Sequence, residues 1–401
     1  MTIGSATMPF PARLRSAIKI DMVLLGISLT LLFGGLIVLA SASISAADNV
    51  AADPFYYVSR QAVAAIMGAV AGFICLFIPM TFWRSTGPLM LLIALGLLVV
   101  VLVPGIGYTA NGSTRWIRLG FLNLQASELA RLCLMIYLAG YLVRHNKTLR
   151  EQFSGFAKPM FVLFLACCLL LAEPDLGAAI VLVAIAFAMM FVAGARLLDF
   201  SLFVGLAVAG ATILAVTREY RLERLTGFLD PWADPYDKGF QLTQSLIAIG
   251  RGEWFGVGLG DSVQKLFYLP DAHTDFVFAV YAEEFGLLGS FVMIVLFGAL
   301  LWRIFKLGIR AASLERFFEA YLAVGIGTWI GLQAFINIGV NMGLLPTKGL
   351  TLPLISYGRS SLIIAMVSLG ILFRIHHELE VDGSPPNRRQ EPARKRGRAH
   401  E

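Results

Sequence analysis

The sequence predicts an all-α polytopic membrane protein of about ten transmembrane helices, with both termini cytoplasmic. Three observations lead there. Hydrophobic residues make up 58% of the chain and charged ones only 14%, with a mean hydropathy of +0.76. That is too little charge to cover a soluble domain of this length. Long apolar runs recur along the chain, and Lys and Arg concentrate in alternate connections between them.

Spanning about 30 Å of hydrocarbon takes roughly 20 residues of helix. The runs are Asp21–Ala42, Tyr57–Ile78, Gly87–Pro104, Ser127–Val143, Met160–Leu171, Ala178–Gly194, Phe200–Val216, Phe276–Trp302, Phe318–Val340 and Ser361–Ile375. The first exceeds the roughly 7–15-residue apolar core of a signal peptide, so it is expected to stay as an uncleaved helix. Gly68-x-x-x-Gly72 and Gly327-x-x-x-Gly331 suit close helix–helix contact.

An even number of spans puts both ends on one side. Short connections on that side carry 20 Lys and Arg, against five on the other. The positive-inside rule makes the richer side cytoplasmic. Residues 1–20 are then a cytoplasmic arm, 21–376 the membrane domain and 377–401 a basic tail. The tail has no apolar residues to bury from Gly383 on and is expected to be disordered. On a membrane protein its charges suit topology and anionic lipid rather than nucleic acid. All four cysteines lie in apolar runs without ligand spacing, which argues against disulfides or a cysteine metal site.

Three segments on the exterior side are too elaborate for connectors. Residues 105–128 carry an Asn111-Gly112 turn signal. Residues 217–275 combine an amphipathic stretch at Tyr220–Leu229, a turn-rich DPWADPYDKG, a helix expected at Phe240–Ile249 and a Gly-rich run. Residues 341–361 are punctuated by Gly and Pro. Long structured loops sharing one face argue for one composite exterior site.

Candidate chemistry centres on PDAHTDFVFAVYAEE, residues 270–284. His273, Thr274 and Asp275 stand where a polar segment enters an apolar one, with Glu283 and Glu284 further in. Carboxylates at that depth cost several kcal/mol unless paired or functional. The plain alternative is that Asp275 or Thr274 caps a helix. Glu128 and Arg131 share a helix face and suit an ion pair, structural or substrate-facing. Arg115 and Arg118 flank Trp116, as an interfacial anchor or as guanidiniums for phosphate. Lys348 is a lone cation between two spans, free to snorkel or to bind an anion. Gly256, Gly258 and Gly260 lack the preceding strand that a nucleotide loop needs.

Four stretches, NGSTRWIRLGFLNLQASELAR, AEPDLGAA, YLPDAHTDFVFAVYAEEFGLLG and LLPTKGLTLPLISYGRSS, together resemble the SEDS family (shape, elongation, division and sporulation). The 240–275 segment is similar to its division-type rather than elongation-type members. Arg131 stands where many members have Lys, and Arg359 replaces the second Gly of SYGGSS. The resemblance implies a peptidoglycan glycosyltransferase that polymerises lipid II at the outer face of the bacterial plasma membrane during septal wall synthesis. It implies a cognate class B penicillin-binding protein and other divisome membrane proteins as partners, and no nucleic acid. Asp275 carries over as catalytic. Arg115, Arg118, Glu128, Arg131, His273, Thr274, Lys348, Ser356 and Ser360 carry over as substrate-binding.

The chemistry suits that assignment. Inverting transfer of a sugar from a lipid diphosphate needs one base at the attacking hydroxyl. The diphosphate already leaves well, so no paired acid is required, unlike glycoside hydrolysis. It needs positive charge, from Arg, Lys or a divalent cation such as Mg or Mn. The rival readings are a lipid II flippase and a non-catalytic division scaffold.

Overall fold

The computed structural model describes residues 18–51, 53–110, 113–120, 122–216, 227–236, 239–266, 269, 272–347 and 349–382. Among the described residues, seven helices are long and apolar enough to cross a membrane. They are α1 (Met22–Ala51), α2 (Tyr56–Cys75), α5 (Ala126–Arg144), α7 (Phe153–Ala172), α11 (Val277–Ser313), α12 (Phe317–Asn341) and α13 (Arg359–Asp382). Three shorter apolar helices complete the set: α4 (Gly87–Leu102), α8 (Leu176–Val192) and α9 (Leu197–Val216). Each of the ten predicted runs falls on one of these. Short helices α3 (Met80–Ser85) and α6 (Asn146–Glu151) connect them, and α10 (Phe240–Arg251) is the helix expected at 240–249.

Boundaries moved where packing continues a helix beyond its apolar run. α7 starts at Phe153 and carries Pro159 in its interior. Pro is tolerated in membrane helices because neighbouring groups satisfy the freed backbone. α13 continues to Asp382, so residues 377–382 are helical rather than part of the tail. Residues 217–226, Asn111-Gly112, Lys348 and the tail from 383 lie outside the described residues.

The all-α expectation needs one amendment. A three-stranded antiparallel sheet, β1 (Gly107–Ala110), β2 (Ser113–Leu119) and β3 (Leu122–Gln125), sits between α4 and α5. STRWIRL carries Thr114, Trp116 and Ile117, the β-branched and aromatic residues that strands favour, without a regular alternation of polar and apolar positions. Ile117 is buried while Arg118 is exposed.

Small residues set the closest helix contacts. A Cβ on Gly72 of α2 would lie 2.7 Å from the Met366 carbonyl of α13, and one on Gly370 would lie 2.3 Å from the Gly72 carbonyl. Gly68 faces Met366 as tightly. Gly327 and Gly331 similarly admit Phe305 and Leu301 of α11. Both small-residue pairs therefore pack helices.

At one end of the bundle, Glu378 accepts from Arg316, Arg374 and the Met80 N–H, binding α13 to the start of α12 and to α3. Arg303 meets Asp21 at 2.5 Å there. Burial works to raise the Asp21 carboxyl, but Arg303, the Leu24 N–H and His376 outweigh it and hold the group below its usual range.

α11 is broken. Gly286 takes φ 68° and ψ −163°, a backbone geometry essentially confined to glycine. The segment after α10 fills the break. The Val257 and Gly258 N–H groups donate to the Glu283 and Glu284 carbonyls at 3.0 and 3.1 Å. In return the Leu287 and Leu288 N–H groups donate to the Glu253 and Trp254 carbonyls at 2.8 and 3.2 Å. Backbone polar groups opened at membrane depth need partners, and here a loop supplies all four. A Cβ on Gly256 would collide with the Glu284 carbonyl at 2.1 Å, which explains a glycine-rich sequence here.

Candidate functional site

Asp275 sits one residue before the N-cap of α11, which is Phe276. Its main chain is gripped from α12, where Asn337 and Asn341, one turn apart, donate side-chain N–H groups to the Asp275 carbonyl at 2.8 and 3.0 Å. Asn341 also accepts from the Ala279 N–H at 3.1 Å, and Asn337 donates to the Leu350 carbonyl at 2.7 Å. Both asparagines are about 1% exposed or less. Two buried amides therefore set the height of Asp275 and bring the 342–358 segment alongside it.

That segment is non-helical backbone held by buried side chains. Gln61 of α2 donates to the Ser356 carbonyl at 3.0 Å and accepts from the Gly358 N–H at 3.2 Å. Gln333 donates to the Thr351 carbonyl at 3.0 Å. Irregular backbone is stable at this depth only where protein groups satisfy it. The segment meets the carboxylate itself, since a Cβ on Gly349 would lie 3.0 Å from Asp275 Oδ2. Asp275, His273 and Thr274 are all half-buried.

An aromatic wall stands beside them. The His273 ring lies 4.4 Å from Tyr57 and 5.9 Å from Tyr357, and the Tyr357 N–H donates to the His273 carbonyl at 2.9 Å. Arg60 lies over Tyr56 at 4.1 Å. Burial raises the Tyr357 hydroxyl above its usual range, with Arg359 and Arg60 opposing. Sequence reasoning missed Tyr57, Tyr357, Asn337 and Asn341. The only signal for the asparagines was amides in an otherwise apolar span.

Arg115, Glu128 and Arg131 belong to a second cluster beyond Leu350, whose side chain packs 3.3 Å from the Cβ position of Gly177. Glu128 and Arg131 form the expected ion pair at 3.0 Å, both buried. Ser127 donates to Asp175 at 3.3 Å, and Arg115 lies 3.8 Å from the same carboxylate. Arg115 also donates to the Glu173 and Pro174 carbonyls, so it pins β2 to the turn before α8. Arg118 stacks on Tyr108 at 3.6 Å. Ser360 donates to the Asn123 carbonyl at 2.6 Å, and Ser356 accepts from the Leu352 N–H at 2.8 Å. These two hydroxyls brace main chain.

Glu173, in the turn between α7 and α8, is fully buried, and neither oxygen has a partner among the described residues. Burial first and Asp175 second push its carboxyl up to about 8, against the pull of Arg115.

Glu283 and Glu284 turn out to belong elsewhere. Glu283 accepts from Ser262 at 2.5 Å and from the Val263 N–H at 3.2 Å, with Arg251 at 3.5 Å. Glu284 accepts from Ser41 at 2.5 Å and from Lys265 at 3.0 Å, and Lys265 also donates to Ser41 and the Gly260 carbonyl. The two carboxylates latch the 252–266 segment into the break of α11. Among the described residues no group of three or more His, Cys, Asp or Glu is arranged as a metal site.

This bundle, with a half-buried aspartate braced at the mouth of a broken helix, has clear counterparts. Residues 22–381 match the family described as cell cycle protein (FTSW_RODA_SPOVE). The chain belongs to that family. It is 54% identical over 371 residues to a probable peptidoglycan glycosyltransferase FtsW of Thioalkalivibrio sulfidiphilus, covering 92% of this chain and 93% of that one. The corresponding protein of Hahella chejuensis is 53% identical over 359 residues, covering 90% of each. The rod shape determining protein RodA of Thermus thermophilus superposes with a TM-score of 0.66 at 29% identity, covering 90% of this chain and 98% of that one. A chain from a structure described as "Structural coordination of polymerization and crosslinking by a peptidoglycan synthase complex" superposes with a TM-score of 0.75 at 30% identity, covering 90% and 99%.

Proposed function

We propose that this chain is a peptidoglycan glycosyltransferase that polymerises lipid II into glycan strands during septal wall synthesis, with Asp275 as its base. Asp275 draws the proton from the attacking sugar hydroxyl, and the anomeric carbon inverts as undecaprenyl diphosphate leaves. The observation that carries the assignment is the double asparagine brace. Two buried amides spent on one carbonyl hold the Asp275 main chain in a single position, as a reacting group requires. His273, Thr274 and the Tyr57–Tyr357 wall flank the acceptor sugar, and Lys348 follows from its place beside Gly349 in the sequence. Arg115, Arg118 and Arg131 contribute positive potential toward the diphosphate from the neighbouring cluster, although their first duties are structural.

The site faces the exterior of an inner membrane, by the positive-inside count, and the working assembly includes a class B penicillin-binding protein. The test reconstitutes the chain with that partner and lipid II and follows glycan polymer. Asp275→Ala is expected to abolish polymer while leaving folding and partner binding intact. Polymer at the wild-type rate from Asp275→Ala rules out the base. Translocation of labelled lipid II with no polymer from the wild-type pair would favour the flippase.

A further inference from the structure

A cavity of about 600 Å³ lies away from Asp275, between the end of α5 and the start of α7. It is lined by Tyr137, Tyr141, Arg144, His145, Lys158 and Phe161, among others. α5 begins beside the site, where the Gln125 N–H meets Ser360, and runs 19 residues, so Arg144 stands about 28 Å away at the opposite end of the bundle. By the charge count this is the cytoplasmic end.

Three features of the cavity point to one kind of ligand. No carboxylate lines it, and among the described residues neither Arg144 nor Lys158 has an ion-pair partner. Several other cations at this end are tied, Arg303 to Asp21, Arg316 and Arg374 to Glu378, and Arg310 to Glu380, whereas Arg84, Lys147 and Lys306 have no ion-pair partner among the described residues. The Tyr137 hydroxyl likewise has no hydrogen-bond partner among the described residues, whereas Tyr141 is spent on the Gly155 carbonyl. Ala157 and Val162 make part of the wall apolar, and Phe161 beside them is 69% exposed. Finally, a second and much smaller cavity lies beside it. Tyr137 and Val162 also line this one, among Leu134, Met160, Leu163 and Met189. A chamber with unpaired cations at its mouth and a greasy seam beside it complements an amphiphile with an anionic head and a long apolar tail.

We infer that this cavity binds the phosphate head group of an anionic phospholipid from the surrounding leaflet, with Arg144, Lys158 and the Tyr137 hydroxyl on the phosphate and one chain lying along the α5–α7 seam. The site is separate from Asp275, and its test does not depend on polymerising activity.

The test is native mass spectrometry of the full chain released from nanodiscs made of equal parts phosphatidylglycerol and phosphatidylcholine. Wild type is expected to retain one phosphatidylglycerol. The double variant Arg144→Gln/Lys158→Gln is expected to retain about tenfold less. Arg144→Lys/Lys158→Arg keeps the charges and is expected to retain it, which separates charge from misfolding. Ala157→Trp fills the cavity without touching a charge and is expected to lose the lipid too. Undiminished retention by the glutamine pair overturns the site. Retention by Ala157→Trp overturns the cavity in favour of surface charge. A parallel arm adds undecaprenyl phosphate at equal amount, and its displacement of phosphatidylglycerol from wild type overturns the assignment to a bulk phospholipid.

Discussion

Asn341 donates its side-chain N–H to the Asp275 carbonyl at 3.0 Å, joining the last turn of α12 to the residue before the N-cap of α11. Asn337 repeats the contact at 2.8 Å from one turn earlier. Removing either amide leaves a buried carbonyl short of a donor, at a cost of about 1–3 kcal/mol. It also lets Asp275 drift, and a misplacement of about 1 Å can cost a hundredfold in rate. Asn341→Ala and Asn337→Ala are expected to lower the polymerisation rate by about ten- to a hundredfold with little change in lipid II KM. A rise in KM with unchanged kcat would count against a positioning role.

The latch in α11 offers a sharper energetic test. Lys265 is buried against Glu284 and Ser41, and deleting one partner of such a pair costs about 3–5 kcal/mol because a charge is left unpaired. Lys265→Met is expected to lower the melting temperature in detergent and to raise hydrogen exchange across 252–266. Lys265→Met/Glu284→Gln should recover part of the loss, as measured in a double-mutant cycle. Additive losses would show that the pair does not couple the loop to the helix.

Helix packing makes a third. Gly72→Leu places a side chain where the Met366 carbonyl lies 2.7 Å from the Cβ position, between two backbones that cannot yield. Overpacking of this kind costs about 1–3 kcal/mol, and it separates α2, with Gln61, from α13. Both the thermal midpoint and the polymerisation rate should fall. Gly26→Leu is the control, since nothing lies within 4 Å of its Cβ position.

Glu173 gives the chain a pH dependence. Its carboxyl is pushed up from 4.5 to about 8 in the folded protein. A group that holds its proton more tightly when folded adds stability at low pH and loses it as pH rises through the folded value. Wild type is therefore expected to lose stability progressively between about pH 4.5 and 8, and Glu173→Gln to flatten that slope. Thermal melts of both proteins across that interval decide it. Parallel curves would place the ionisation elsewhere.

Much of this was legible in residue order alone. Apolar runs announce helices because a bilayer offers no other partner for backbone polar groups, so each of the ten runs found its helix. The Gly68 and Gly327 pairs announced close contacts for a similarly local reason. Glu128–Arg131 followed from spacing along one helix face. The β-sheet was missed because three short strands of mixed polarity sit inside a loop, where helix-length hydropathy has nothing to register.

What the sequence determined by itself is the membrane class of the fold and the family to which the chain belongs. Only the tertiary structure decided what surrounds Asp275. The two asparagines are 62 and 66 residues from Asp275 in the chain, Gln61 is 295 from Ser356, and Lys265 is 224 from Ser41. Periodicity and composition are local quantities, whereas these contacts arise because buried polar groups must find partners wherever the packing brings them. The same requirement moved Glu283 and Glu284 from the site to the latch: a carboxylate in an apolar run demands a partner, and the chain does not say which one until it has folded.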